Sequence, residues 1–211
     1  SFAEKAYQLL VRKVTRLELA PGDVLVEKNL MAELGIGRTP IREALQRLAT
    51  EGLVQHLPNR GTLVSDIGAA NVQSIYEFRS LIEGETARLA ATRATEDDIA
   101  ELQSLDEKLN QATEGGDIDD FVALDRRFHE VLGRASKNVY LQEAVPRIFN
   151  LHLRLWFYIS LKSESWHPVA HSHDEMTKGV VDAIRERLPE KAEEVMTSYI
   201  AHRHQEVKNL L

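Results

Sequence analysis

Residues 27–64 read EKNLMAELGIGRTPIREALQRLATEGLVQHLPNRGTLV. A short helix is predicted over Glu27–Leu34, and Gly35 supplies the left-handed residue that ends it. After the turn Gly35-Ile36-Gly37 a second helix begins near Arg38. Pro40 is tolerated there because first-turn amides have no partner inside a helix. Ile41, Ala44, Leu45 and Leu48 form its apolar stripe, while Arg38, Thr39, Arg42 and Gln46 fall on the opposite side. Leu53–Leu57 alternates, Pro58-Asn59-Arg60-Gly61 turns and Thr62–Val64 returns, which reads as a β-hairpin with a basic tip. Taken singly, each arginine reads as a solvated surface charge. Helix, tight turn, arginine-bearing helix and hairpin together have the layout of a helix-turn-helix followed by a wing. In such a layout guanidinium forks meet base edges or phosphates in the major groove, and an arginine at the wing tip enters a minor groove or grips phosphate.

Upstream, Phe2–Leu19 reads as an amphipathic helix, with Ala6, Leu9, Leu10, Val14 and Leu17 at three- and four-residue steps. Pro21-Gly22-Asp23 breaks it, and Val24–Val26 is long enough only for a small strand or an extended link. The 211-residue chain is 43% hydrophobic and 28% charged, as expected of a folded protein. It has no cysteine, which excludes disulfides and thiol chemistry and fits a cytoplasmic location. No membrane partner is expected, because charges interrupt every apolar run, and no secretory leader is read from Ser1. The net charge of −7 conceals an uneven split. Residues 1–65 hold nine Lys/Arg against seven Asp/Glu, whereas the remainder holds seventeen against twenty-six. The division implies a slightly basic domain over residues 1–66 and an acidic one over residues 67–211.

The runs Glu27-Lys28-Asn29-Leu30, Leu34–Leu45, Arg47–Val54 and Pro58–Thr62 resemble the signature of the GntR superfamily of bacterial regulators. The resemblance covers nearly all of residues 5–65. It implies contacts with double-stranded operator DNA from Lys28, Arg38, Thr39, Arg42, Arg60 and Gly61, to which the face of the second helix adds Gln46. Gly37 departs from the pattern, since the family usually has Ser or Thr there. The glycine removes a hydroxyl available for a phosphate contact or a helix cap.

Beyond Asp66 the periodicity is helical throughout: residues 71–93, 95–114, 118–135, 139–160, 169–188 and 190–211. Thr95, Asp117 and Asn138 are expected N-caps, Pro146 predicts a kink or interruption, and His167 falls in a loop. His171 and His173 do not share a helix face, and His202 and His204 are expected to be exposed. The fold class is therefore mainly α, a winged helix-turn-helix joined to an antiparallel all-α helical bundle.

Tyr76-Glu77-Phe78-Arg79 with Glu83, Asp125–His129 and Ala135–Asn138 resemble the effector domain of the FadR-like (FCD) subfamily. Val181–Ile184 and Met196 fit that subfamily's closing helices. By resemblance, a small carboxylate effector, an organic or sugar acid, sits beside a divalent metal such as zinc, nickel or manganese. Asp125 and His129 match the first two metal ligands, and their i, i+4 spacing places both on one helix face. The other two ligand positions fall on Thr177 and Tyr199, neither a usual ligand. Two alternatives stay open: a site shifted onto His173 and His202, or a decayed one in which Asp125 and His129 bond the effector or each other. Arg79 is a carboxylate partner or a salt-bridge partner of Glu83. Arg154 and Tyr158, on one face of their helix, are candidates for the same cavity.

These features point to an effector-responsive, homodimeric transcription regulator, with repression the expected sign. Two other classes fit less well. A metal-dependent helical-bundle enzyme lacks an HExxH helix, a phosphate loop or a nucleophile elbow, and a protein-interaction module does not explain the arginines and basic wing.

Overall fold

The computed structural model describes residues 1–163 and 165–211. Glu164, within the break expected over residues 163–168, lies outside them. The described chain divides into two compact units, residues 1–71 with 150–158, and residues 72–149 with 159–211.

In the first unit, α1 (Phe2–Thr15), α2 (Glu27–Leu34) and α3 (Arg38–Thr50) stand with β1 (Val24–Leu25), β2 (Val54–Leu57) and β3 (Gly61–Val64). Helix α1 ends four residues short of the expected Leu19, because Leu17 turns to φ 61°. The Val24–Leu25 segment is more than a link. It pairs antiparallel with β3, so the wing is a three-stranded sheet in the order β1-β3-β2. Leu10, Val14, Ile41, Leu45 and Leu48, all nearly or fully buried, are the apolar stripes of α1 and α3 meeting in one core with Leu53 and Val64.

The segment 150–158 belongs to this unit through buried polar contacts as well as apolar ones. Asn150 donates to the Tyr7 hydroxyl at 3.0 Å and to Glu51 at 2.9 Å. Tyr7 in turn donates to Glu51 at 2.8 Å, and the Arg47 guanidinium lies 3.4 Å from the centre of its ring. Burial, then the Glu51 carboxylate, push the Tyr7 phenol up to about 12. It therefore stays a hydrogen-bond donor at any physiological pH.

The second unit is helical. It is built from α4 (Ala69–Arg93), α5 (Glu96–Gly115), α6 (Ile118–Ala135), α7 (Val139–Lys162), α8 (His167–Arg185) and α9 (Pro189–Leu210), of which α4 and α7 also lend residues to the first unit. Thr95 and Asp98 form a reciprocal capping box, and Asp117 and Asn138 cap their helices through two backbone amides each. Two sequence expectations are corrected. Of the kink or interruption expected at Pro146, the interruption is absent: the proline lies inside α7, where one lost backbone bond is tolerated in a 24-residue helix buried along much of its length. His167 opens α8 rather than lying in a loop, because Pro168 suits a first-turn position. Close approaches mark the last helix. A Cβ on Gly84 would come within 2.7 Å of Thr197 Cγ2, and one on Gly179 within 2.9 Å of Val195 Cγ1.

Candidate DNA-contacting face and buried polar cluster

Lys28, Arg38, Thr39, Arg42, Gln46, Arg60 and Gly61 are all exposed. The turn before α3 sets out its arginines: Gly35 takes φ 64°, and Gly37 is an extended N-cap with no side-chain bond to the helix amides. No acidic residue occupies the first turn of α3. Its end therefore keeps the partial positive charge that attracts phosphate. On the wing, Asn59 and Gly61 adopt φ 63° and 78°, closing the tip that carries Arg60. Below the tip, His56 pairs with the Thr62 hydroxyl across the strands at 2.8 Å.

Sequence reading missed Glu27. Its carboxylate accepts from Arg42 Nε at 2.8 and 3.0 Å and lies 3.9 Å from Arg38 Nε. Both arginine side chains remain at least 60% exposed, so the pair is a surface one. Water and salt screen an exposed pair of this kind, so exchanging Glu27 for a phosphate costs little. Fifteen residues separate Glu27 from Arg42, and no local pattern links them.

In the second unit α4, α6, α8 and α9 bury a chain of polar groups. Arg79 (1% exposed) donates to Glu83 (2%) through Nε at 2.7 Å and Nη2 at 3.2 Å. Glu83 Oε2 stands 3.6 Å from His129 Nε2, and His129 Nδ1 lies 3.0 Å from Asp125 Oδ1. The same Asp125 oxygen accepts from His173 Nε2 at 2.9 Å. Arg79 thus pairs with Glu83, the second of its two sequence readings, and His173 joins Asp125 across 48 residues of chain. Desolvation alone would depress the His129 imidazole, but Asp125 and then Glu83 outweigh it and push its pKa up to about 10. Burial would raise Glu83, yet Arg79 and His129 hold it well below the usual carboxylate range.

Among the described residues, several buried atoms of this cluster have no hydrogen-bond partner: Arg79 Nη1, His173 Nδ1 and the Tyr199 hydroxyl. Burial pushes the Tyr199 phenol up, so it too remains a donor. Tyr76 and Arg203 were not found from sequence. The Arg203 guanidinium lies 5.5 Å from the Tyr199 ring centre, and Arg79 lies 5.4 Å from that of Tyr76. His204, expected to be exposed, is partly covered and stacks on Tyr76 at 4.8 Å, whereas His202 is exposed. Arg154 and Tyr158 fall in the first unit, with residues 150–158. Arg154 donates to the Ser65 carbonyl there, and burial lowers its guanidinium pKa to about 10.

These residues do not fit a divalent metal. Both nitrogens of His129 face carboxylates, Nδ1 that of Asp125 and Nε2 that of Glu83. Thr177 turns its hydroxyl to Asp106 at 2.7 Å instead. Among the described residues no three His, Cys, Asp or Glu side chains converge as a coordination set. Asp125 and His129 bond each other, and the shift onto His173 yields a hydrogen bond to Asp125 rather than a third ligand.

Comparisons with known proteins agree with this architecture. The repressor RspR of Escherichia coli K12 is 36% identical over 129 residues, covering 61% of this chain and 57% of RspR. The chain thus matches little over half the length of that relative. The Nta operon transcriptional regulator of Aminobacter aminovorans is 34% identical over 155 residues, 72% of each chain. The solved structure of Escherichia coli McbR/YncC shares the fold, with a TM-score of 0.82 at 24% identity over 100% of this chain and 98% of that one. Residues 2–64 match the bacterial regulatory proteins of the gntR family, and residues 74–202 match the FCD domain. The chain therefore belongs to the GntR family of transcriptional regulators, in the branch that carries an FCD domain.

Proposed function

We propose that this protein is a dimeric repressor whose hold on operator DNA is modulated by a small carboxylic acid. The observation that carries the DNA reading is the exposed set Arg38, Thr39, Arg42 and Gln46 on α3, beside a wing tipped by Arg60. Arg42, held by Glu27, is set out to exchange that carboxylate for phosphate or a guanine edge. Repression follows the name of the Escherichia coli relative, RspR. Homodimerisation is supported by Phe78 (48% exposed) and Leu81 (73%), which leave an apolar strip on the outer face of α4. One winged module makes few base contacts, so a pair on a two-fold operator supplies the selectivity.

The effector reading rests on the donors left free in the buried cluster. Among the described residues Arg79 Nη1 and the Tyr199 hydroxyl lack acceptors, and a carboxylate supplies them. Asp125 and His129 complete the proposed lining. In this reading the cation facing the acid is the Arg79 guanidinium with the His129 imidazolium. The acid changes DNA affinity only as far as it binds one conformation more tightly than another.

Selection of duplexes from sheared genomic DNA, followed by anisotropy titration of the selected fragment, tests the DNA reading. Arg42→Ala should lose about 1–3 kcal/mol of binding. A folded Arg42→Ala variant that binds the fragment as tightly as wild type removes α3 from the groove.

A further inference from the structure

We propose that the groove between α5 and α8 binds a linear polyamine. This site is separate from the proposed effector cluster and opposite to it in charge. The groove has a volume of about 570 Å³, and four carboxylates line it: Asp106, Glu107 and Glu114 from α5, and Asp174 from α8. Asn110 and Gln111 lie between them, and Lys178 is the single cation of the lining.

None of the four acids is in an ion pair among the described residues. The contrast lies within one helix. On its other side α5 presents Asp98 and Glu101, which are fully engaged: Asp98 by Arg134 and Lys137, Glu101 by Arg127 and Arg134. One acidic face of α5 is thus neutralised by the protein itself, and the face on the groove is not.

Asp174 points to a ligand independently of the charge count. It is 7% exposed, and among the described residues neither carboxylate oxygen has a partner in hydrogen-bonding geometry, with the Thr113 hydroxyl the neighbouring donor that favours its charged form. The Thr113 hydroxyl beside it donates to the Leu109 carbonyl at 3.1 Å. A buried carboxylate without a donor is destabilising, and an ammonium group entering the groove would satisfy it. Asp106 is held in place for the same role, since its Oδ1 accepts the Thr177 hydroxyl at 2.7 Å.

Spacing selects the kind of cation. Asp106 and Glu114 lie eight residues apart, about 12 Å along the helix at 1.5 Å per residue. Asp106 and Glu107 sit at one end, and Asp174, beside Thr113, lies toward Glu114 at the other. Carboxylates spread in this way do not converge on a metal ion, and no three His, Cys, Asp or Glu among the described residues do so. They suit a flexible chain with ammonium groups at both ends and methylenes between, such as spermidine.

Isothermal titration of the full-length protein with spermidine, with putrescine and Mg²⁺ as comparison cations, tests the proposal at physiological ionic strength. Saturable one-to-one binding of spermidine, tighter than that of putrescine or Mg²⁺, is expected. Asp174→Asn should weaken it at least tenfold and Glu107→Gln at least threefold, while the remote Glu143→Gln leaves it unchanged. Glu107 is fully on the surface, so its variant keeps the test alive if Asp174→Asn fails to fold. No saturable heat, equal affinity for Mg²⁺, or unchanged binding in a folded Asp174→Asn or Glu107→Gln protein overturns the proposal. The outcome is independent of operator binding, so it neither rescues nor sinks the reading of the DNA face.

Discussion

Replacing Glu83 by Gln takes away the carboxylate that faces two Arg79 nitrogens inside the second unit, and the structure fixes the size of the effect. Both side chains are at most 2% exposed, and their contacts of 2.7 and 3.2 Å are bidentate. Solvent cannot take over the guanidinium charge, and His129 Nε2, 3.6 Å from Glu83, loses a counter-charge too. Breaking a buried pair by removing one partner costs about 3–5 kcal/mol, whereas replacing both partners by apolar residues of similar volume is often neutral or stabilising. Glu83→Gln should therefore be destabilised by about 3–5 kcal/mol, and Arg79→Met/Glu83→Leu should recover most of that loss. Urea unfolding followed by Trp166 fluorescence in a Trp156→Phe background reports on the second unit, where Trp166 packs 5.7 Å from Phe121. If Glu83→Gln unfolds outright, the stability of the double variant still completes the comparison. A Glu83→Gln protein within about 1 kcal/mol of the parent refutes the reasoning, because the guanidinium would then have another counter-charge or access to water.

Three further outcomes follow from the same coordinates. His129 has its folded-state pKa raised from 6.5 to about 10, so its contribution to stability is fully present below pH 6.5 and is lost as pH rises toward 10. Stability should fall across that interval, and an imidazole NMR titration giving a midpoint at or below 6.5 would contradict the buried ion network. Gly179→Ala should cost about 1–3 kcal/mol by driving a methyl group against Val195, and Val195→Ala should relieve part of the loss. Equal melting temperatures for the parent and Gly179→Ala would show that α8 and α9 are more loosely packed than the structure has them. Elemental analysis of protein dialysed against zinc, nickel or manganese should find well below one equivalent bound. A stoichiometric metal that disappears in His129→Ala would overturn the hydrogen-bonded reading of Asp125 and His129.

Most of the element list was legible along the chain because its signals are local. The Gly35 stop, the Thr95 capping box, the caps at Asp117 and Asn138 and the apolar stripe of α3 all act within four residues. What sequence left open is not local: whether Val24–Leu25 is a strand or a link depends on its pairing with Thr62 and Leu63 in β3. The α3 arginines could be placed on one face by counting, but the carboxylate that holds them could not.

By itself the sequence determined the family, the helical periods and the candidate residues on each face, since these depend on spacing within a turn or two. Tertiary structure alone decided which polar groups meet. It assigned residues 150–158 to the first unit, brought His173 to Asp125 and turned Thr177 toward Asp106. The physical reason is that burial removes water as a partner. A desolvated charge must then take whichever group the packing of distant helices places beside it, and no count along the chain supplies that neighbour.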